Sequence, residues 1–196
     1  MEKIIIRAKQ FRRLNDPFEE TSKERPIKYR FYVNTKDVPE ELLEWMQTNP
    51  REQNLNTDTA KEIAAALSED NQSFHLWNRG ILLSVADIKF DNRTNLATIY
   101  MDDPSKHGDI DGGHTLKIIL RHNKELAKAQ KDGKSMENFP EQYVEFEAIT
   151  NLNSSVDLAE ARNTSVAVDT KTIEELNHSF DILKSIMAGH LVQGEE

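Results

Sequence analysis

The chain has 196 residues, of which 37% are hydrophobic, and this is enough to bury the core of one ordinary domain without disulfides or metals. Its formal net charge of -9 excludes a globally basic nucleic-acid-binding surface, although a local basic patch is compatible with it. The lack of cysteine excludes disulfides, thiolate metal sites and cysteine nucleophiles, and no apolar run approaches the roughly 20 residues of a membrane span, so we expect a cytoplasmic protein that does not bind membranes.

Alternating and periodic apolar residues predict the elements of the first half of the chain. Residues 4–8 and 28–34 are rich in β-branched and aromatic side chains and predict two strands, with a polar loop over residues 15–28. Two helices are predicted next, one over residues 38–47 and one beginning at Thr57, because apolar residues recur there at helical spacing.

A hairpin and a strand-to-helix turn are predicted after these helices. The apolar run after Gly80 predicts one strand to about residue 90, and residues 96–101 predict the returning strand of a hairpin. A short apolar stretch then meets Asp111, two glycines and a histidine, and a helix follows. We expect the buried face of that helix to consist of Leu116, Ile119, Leu120, Leu126 and Ala127.

The last part of the chain completes the predicted fold class. A charged loop over residues 128–142 precedes an alternating strand over residues 143–149. A last helix is predicted from about Thr172, and its apolar stripe, Ile173 to Met187, needs this domain, a second copy or a C-terminal domain as a partner. The mixture of alternating strands, helices and hairpins predicts an α/β or α+β domain with a mixed sheet and flanking helices.

The stretch GDIDGGHTLKIIL suggests a small anion site. Gly112 and Gly113 would let a ligand approach the backbone at a helix start, where free N–H groups and the helix dipole favour negative charge. His114 and Thr115 can donate to the same anion, and Asp111 can order the loop or help to hold a cation. The alternative is a tight turn in which the glycines only relieve strain and Asp111 caps the helix.

Two further polar clusters could complete such a site. Asn78, Arg79 and Gly80 precede a strand, and a guanidinium is suited to a bidentate contact with phosphate. Arg162 and Asn163 are predicted to follow a short helix, where Asn163 could contact a ligand or cap the next segment. The alternative for Arg79 is a surface salt bridge in an ordinary turn.

These clusters, in this order, carry a family resemblance. The stretches NPREQNLN, FHLWNRGILL, DIDGGHTLKIIL and ARNTSVAVDTKTIEEL, which span residues 49 to 176, resemble the AIPR family of bacterial abortive-infection phage-resistance proteins. They are also similar to the DGQHR proteins, including the DndB regulators of DNA phosphorothioation, and the turn resembles one that binds nucleotide phosphates in the ParB/sulfiredoxin superfamily. The resemblance implies a ParB/sulfiredoxin-like core over residues 37–170, an N-terminal extension over residues 1–36, and a helix over residues 171–196 that leads to a C-terminal region.

The chain departs from these relatives at two points. The cysteine that sulfiredoxins need is absent, so their chemistry is excluded. Thr115 occupies the position of an arginine in ParB-type and DGQHR proteins, so Arg79, Lys117 or Arg162 would have to supply that phosphate contact.

The resemblance implies a phage-defence module that binds a nucleotide or a nucleic-acid phosphate at this turn. Asp111 and His114 would be the candidates for catalysis, with Mg²⁺ accompanying the nucleotide if hydrolysis occurs, and His114 could act as a general acid or base near neutral pH. Asn78 and Arg79 would close the site from one side, and the Arg162 cluster from another.

Two other functions stay open. The first is a metal-dependent ParB-like nuclease, for which the chain supplies acids in no known nuclease spacing, namely Asp87, Asp91, Asp102, Asp103, Asp109 and Asp111. The second is a non-catalytic interaction module that docks a partner through the Ile173 to Met187 face. No residue is predicted to be a metal ligand from its spacing.

Overall fold

The computed structural model describes residues 1–18, 25–49 and 53–164, so the predicted helix from Thr172 lies outside the described residues. Met1–Glu160 form one compact unit and Ala161–Glu196 a second one. The elements in chain order are β1 (Glu2–Arg7), β2 (Lys9–Asn15), β3 (Ile27–Asn34), two 3₁₀ helices (Thr35–Asp37 and Glu40–Trp45), α1 (Asp58–Ser68), α2 (Phe74–Trp77), β4 (Ile81–Ser84), β5 (Asp87–Asp91), β6 (Leu96–Met101), β7 (Gly108–Asp111), α3 (Gly113–Lys131), β8 (Tyr143–Thr150) and α4 (Ser155–Thr164).

The strands form two sheets. A three-stranded antiparallel sheet has the order β1-β6-β5, and a five-stranded sheet has the order β2-β3-β8-β4-β7. In the larger sheet β8 and β4 run parallel, whereas the other neighbours are antiparallel. The prediction of a mixed sheet with flanking helices is therefore confirmed, while the ParB/sulfiredoxin likeness and the domain boundaries stay predictions. None of the described helices is both long and apolar enough to cross a bilayer.

The main core consists of the inward-facing side chains of the strands, together with residues of α1, α2, α3 and the 3₁₀ segment, including Leu42 and Trp45. On β3 and over residues 143–148 of β8 every second residue is buried, as the period of a strand requires, and Phe31 and Phe146 stack there with ring centroids 5.7 Å apart. Phe11 on β2 stacks on Phe90 of β5 at 4.5 Å, which links the two sheets. A smaller cluster joins α4 to the larger sheet through Leu82, Ile110, Ile149 and Ala159.

The prediction of one strand from Gly80 to residue 90 is wrong, because this run supplies strands to both sheets. The Val85 N–H donates to the Ile149 carbonyl of the larger sheet, and the next residue, Ala86, donates to the Tyr100 carbonyl of the smaller one. The chain thus crosses between sheets at a point where the apolar run continues without a break.

The structure differs from the predicted elements at three further places, each for a local reason. Residues 38–47 were predicted as one helix, but only Glu40–Trp45 are helical and they form a 3₁₀ helix. The strand β2 was not predicted, because its sequence is mostly polar and Phe11 is its one residue that is not exposed. Helix α3 continues to Lys131, and the residue it buries after Leu126 is Ala129, three positions on, whereas Ala127 is exposed.

Candidate functional site

The turn between β7 and α3 brings two of the three predicted clusters together. β7 pairs antiparallel with β4, so that Asp111 lies opposite Leu82 and the end of β7 lies beside the start of β4. Asn78, Arg79 and Gly80 immediately precede β4 and are therefore neighbours of the Asp111 turn. We call these residues, together with Gly112, Gly113, His114 and Thr115, the β7–α3 site.

The two glycines of the turn pack against the chain itself. Gly112 has a φ of 102°, and a Cβ there would lie 2.4 Å from the Gly80 carbonyl oxygen and 2.9 Å from the Ile81 Cα. A Cβ on Gly113 would lie 2.9 Å from an Asp109 carboxylate oxygen and 2.9 Å from Met46 Cε. Close internal packing is therefore sufficient to require both glycines, and a ligand would have to be bound by the groups around them.

Asn78 and Thr115 are bonded to each other. The Thr115 hydroxyl lies 3.0 Å from Asn78 Nδ2, which donates to it, and 3.2 Å from Asn78 Oδ1, to which it can donate. Asn78 Oδ1 also accepts from the Gly80 N–H at 2.8 Å, and this closes the turn from α2 to β4. Thr115 is buried, so both residues act as supports of the site rather than as exposed donors.

Arg79 and Asp111 form an ion pair at the mouth of the site. Arg79 Nη2 lies 3.2 Å from Asp111 Oδ2, and the guanidinium side chain is 52% exposed, against 23% for the carboxylate. A pair this exposed contributes little to folding stability, but it holds the guanidinium beside Asp111, two residues before α3 begins. The surface salt bridge considered for Arg79 is therefore present, and its donors stay accessible to solvent.

Asp109, at the second position of β7, is a buried carboxylate that the sequence marks only as one of six candidate acids of a nuclease. Asp109 is fully buried, and its Oδ2 accepts from Asn49 Nδ2 at 2.6 Å, while its Oδ1 has no hydrogen-bond partner among the described residues. Burial raises the pKa of Asp109 to about 7, the Asn49 donor opposes this rise, and the charge of Asp111 adds to it. No sequence signal distinguishes Asp109 from the other acids, because its burial depends on the 3₁₀ segment that packs against β7.

The remaining predicted residues differ in their positions. His114 is half-buried in the first turn of α3. Arg162 and Asn163 lie within the last turn of α4 instead of following a helix, and Arg162 belongs to the second unit, so their part in the site stays a prediction. Within residues 1–18, 25–49 and 53–164, no three His, Asp or Glu side chains are grouped to hold a metal ion.

Comparison with known proteins identifies the family. A family model described as AIPR protein matches residues 46–195, which is more than half of the chain. No curated protein and no solved structure matches the chain. The likeness to DGQHR and ParB proteins therefore stays a prediction. The chain belongs to the AIPR family, whose name denotes abortive infection and phage resistance, and this membership indicates a role in defence against phages.

Proposed function

We propose that this AIPR protein serves phage defence by binding the phosphate group of a nucleotide or of a nucleic acid at the β7–α3 site. The observation that carries the proposal is the Arg79 guanidinium, which Asp111 orients at the start of a helix of 19 residues. A cation beside a helix N-terminus is an arrangement that attracts phosphate, since both supply N–H donors and positive potential.

The groups that would attract a phosphate come from two places, the start of α3 and the turn before β4. The first intrahelical hydrogen bond runs from the Leu116 N–H to the Gly112 carbonyl, so the positive end of the α3 dipole lies at residues 113–115. The ion pair engages one nitrogen of Arg79, and a guanidinium has five N–H donors in a planar fork. The missing arginine at position 115 would be replaced by Arg79 from the neighbouring strand start.

His114 and Asp111 are the residues that would act on a bound phosphate. His114 lies in the first helical turn and could donate to a phosphate oxygen or transfer a proton near neutral pH. Mg²⁺ bound with a nucleotide commonly uses one or two protein carboxylates, and Asp111 fits that requirement at the mouth of the site. The metal would supply charge neutralisation of the phosphate.

Thermal stability with a panel of nucleotides and short DNAs, each with and without Mg²⁺, tests the proposal. A ligand at 100 times its Kd stabilises by about 2.7 kcal/mol, which raises the Tm by several degrees at this chain length. We expect Arg79→Ala to lose that rise, whereas the matched control Arg93→Ala, an exposed arginine of the β5–β6 turn, keeps it. A parent chain that responds to no ligand, or an Arg79→Ala chain that responds as the parent does, would refute the proposal.

Catalysis is tested separately from binding. If the bound nucleotide is hydrolysed, His114→Ala should lower the rate at which inorganic phosphate is formed. The rise in Tm that the nucleotide causes should persist in this variant. A His114→Ala chain with unchanged hydrolysis would remove His114 from the reaction and leave the binding proposal in place.

A further inference from the structure

The outer face of the larger sheet, opposite the main core, is rich in cations and aromatic rings. Alternate residues of β3 and β8 face outward there, among them Tyr32 and Tyr143. The charged side chains on this face of β2, β3 and β8 are Lys9, Arg12, Lys28, Arg30, Glu145 and Glu147. Glu141, just before β8, adds a third acid, because it accepts from the Tyr143 hydroxyl at 2.8 Å. Four cations therefore face three acids here, whereas in the whole chain 34 acids outnumber 25 Lys and Arg residues.

Two adjoining pockets open on this face. The first has a volume of about 300 Å³ and is lined by Lys9, Gln10, Tyr32, His75 and Tyr143. The second has a volume of about 250 Å³ and shares Gln10 and Tyr32 with the first. It adds Arg12, Leu14, Arg30, Phe31 and Glu145. We call the two together the sheet-face groove.

Ring systems form the walls of the first pocket. Tyr32 and His75 meet edge to face, with ring centroids 5.5 Å apart at 85°. Lys9 Nζ lies 4.3 Å from the centroid of the Tyr143 ring and hydrogen-bonds to its hydroxyl. His75 comes from α2, so the groove is bounded by a helix on one side and by the edge strand β2 on the other.

An irregularity in β2 shapes the groove. The pairing of β2 with β3 shifts register between Lys9 and Arg12, and Gln10 within this bulge has a φ of 53°. A left-handed conformation is costly for a residue such as glutamine, and bulges of this kind redirect side chains next to binding sites. The bulge places Gln10 in the lining of both pockets.

We propose that the sheet-face groove binds a nucleobase together with its phosphate, at a site separate from the β7–α3 site. The base would stack on the ring of Tyr32 and contact His75 at its edge, because these two rings are perpendicular. The Gln10 amide would hydrogen-bond to the edge of the base, and Lys9 and Arg12 would bind the phosphate. Ring faces next to a basic groove are the arrangement that binds unpaired bases. Arg30 would contribute less to phosphate binding than Lys9 and Arg12, because it is paired with Glu145 and Glu147. The base can come from a free nucleotide or from a single strand, and both would use this chemistry.

The test measures binding of the whole chain to labelled single-stranded dT and dA 12-mers by fluorescence anisotropy, and to the four ribonucleoside monophosphates by calorimetry. We expect Tyr32→Leu, which removes a stacking contact, and Lys9→Gln, which removes a phosphate contact, each to raise the Kd at least about fivefold. The smaller sheet provides matched controls, because Lys89 Nζ lies 5.2 Å from the Tyr100 ring centroid on an exposed surface. Tyr100→Leu and Lys89→Gln should leave the Kd within twofold of the parent value.

The outcomes distinguish a free nucleotide from a single strand, and the sheet-face groove from the β7–α3 site. Equal affinity for monophosphates and 12-mers identifies a free nucleotide as the ligand, whereas binding of 12-mers alone identifies a single strand, and both support the proposal. Absence of binding by the parent chain, or equal losses in the control variants, would overturn it. Binding that Arg79→Ala abolishes and Tyr32→Leu leaves intact would also overturn it, and would support the β7–α3 site instead.

Discussion

The side chain of Asn78 is hydrogen-bonded to the hydroxyl of Thr115, 37 positions later in the chain. Asn78 immediately follows α2 and Thr115 lies in the first turn of α3, so this contact joins the start of one predicted cluster to the end of the other. Because Asn78 also accepts from the Gly80 N–H, one carboxamide orients the backbone on both sides of Arg79. The position of the exposed guanidinium therefore depends on a contact within the protein.

Replacing Asn78 with alanine should destabilise the fold. The Asn78→Ala change leaves the buried Thr115 hydroxyl without this partner and removes the bond that closes the turn at Gly80. We expect the free energy of unfolding to fall by about 1 to 3 kcal/mol, the cost of an unsatisfied buried group, as measured by urea denaturation. Asn71 is a matched control, because it closes a similar turn to the Ser73 N–H but is exposed. Asn71→Ala should cost about 0.5 kcal/mol or less, and equal costs at both positions would contradict the argument.

Thr115→Val removes the other partner of the same hydrogen bond. The loss of unfolding free energy in the double variant with Asn78→Ala should therefore be smaller than the sum of the two single losses. Valine has nearly the shape of threonine but cannot bond to the carboxamide, so the single variant should lose about 1 to 2 kcal/mol. In the double variant the bond is already absent, so we expect a coupling energy between about 0.5 and 3 kcal/mol from the double-mutant cycle. Full additivity of the two changes would show that the 3.0 Å contact contributes nothing to stability.

Gly112→Ala should be among the most destabilising single changes in the chain. The new Cβ would collide with the Gly80 carbonyl at 2.4 Å, and the φ of 102° is unfavourable for alanine. We expect a loss of about 2 to 6 kcal/mol, since the backbone strain and the overpacking add. Gly133 separates the two causes, because its φ is 64° but a Cβ there has no atom within 4 Å. Gly133→Ala should therefore cost only about 1 to 2 kcal/mol. A loss as small as this for Gly112→Ala would contradict the prediction, because it would show that β4 and β7 move apart at little cost.

The strand, turn and helix of the stretch GDIDGGHTLKIIL could be predicted because they depend on local patterns. β-branched and apolar residues, a glycine pair and a helical repeat follow each other there, and the structure has β7 ending at Asp111 and α3 beginning at Gly113. Arg79 and Asp111 were both predicted to line one ligand site; the structure pairs their side chains with each other, and the ligand site stays a prediction.

The direction of each polar side chain could not be predicted in the same way. Asn78 and Thr115 were predicted to contact a ligand, but a carboxamide and a hydroxyl bond equally well to each other, and a sequence does not reveal which partner is nearer. The break between β4 and β5 has a similar cause, because Val85 and Ala86 are ordinary strand residues and only the pairing partners differ. The sheet-face groove was missed because its lining comes from β2, β3, α2 and β8, which are distant in sequence.

Asp109 should make the stability of the protein depend on pH in the range below neutrality. Burial raises the pKa of Asp109 to about 7 in the folded chain, whereas an aspartate in an unfolded chain has a pKa near 3.9. Between these two values the folded state binds more protons than the unfolded state, so the free energy of unfolding falls as pH rises from about 4 to about 7. Above about pH 7 both states are ionised, and this contribution no longer changes.

Asp109→Asn should remove that dependence. Asparagine is neutral, and its side-chain oxygen can still accept from Asn49 Nδ2, the donor that now bonds to the carboxylate at 2.6 Å. The parent chain should lose about 2 to 3 kcal/mol more than Asp109→Asn between pH 5 and pH 8, when both are unfolded with urea at each pH. Asp58 is an exposed acid on α1 and serves as the control. In Asp58→Asn the free energy of unfolding should change between pH 5 and pH 8 by as much as it does in the parent. If Asp109→Asn and the parent lost stability equally between pH 5 and pH 8, the carboxylate would already be ionised in the folded state, and the unpartnered Oδ1 would have to be stabilised by a cation or by water.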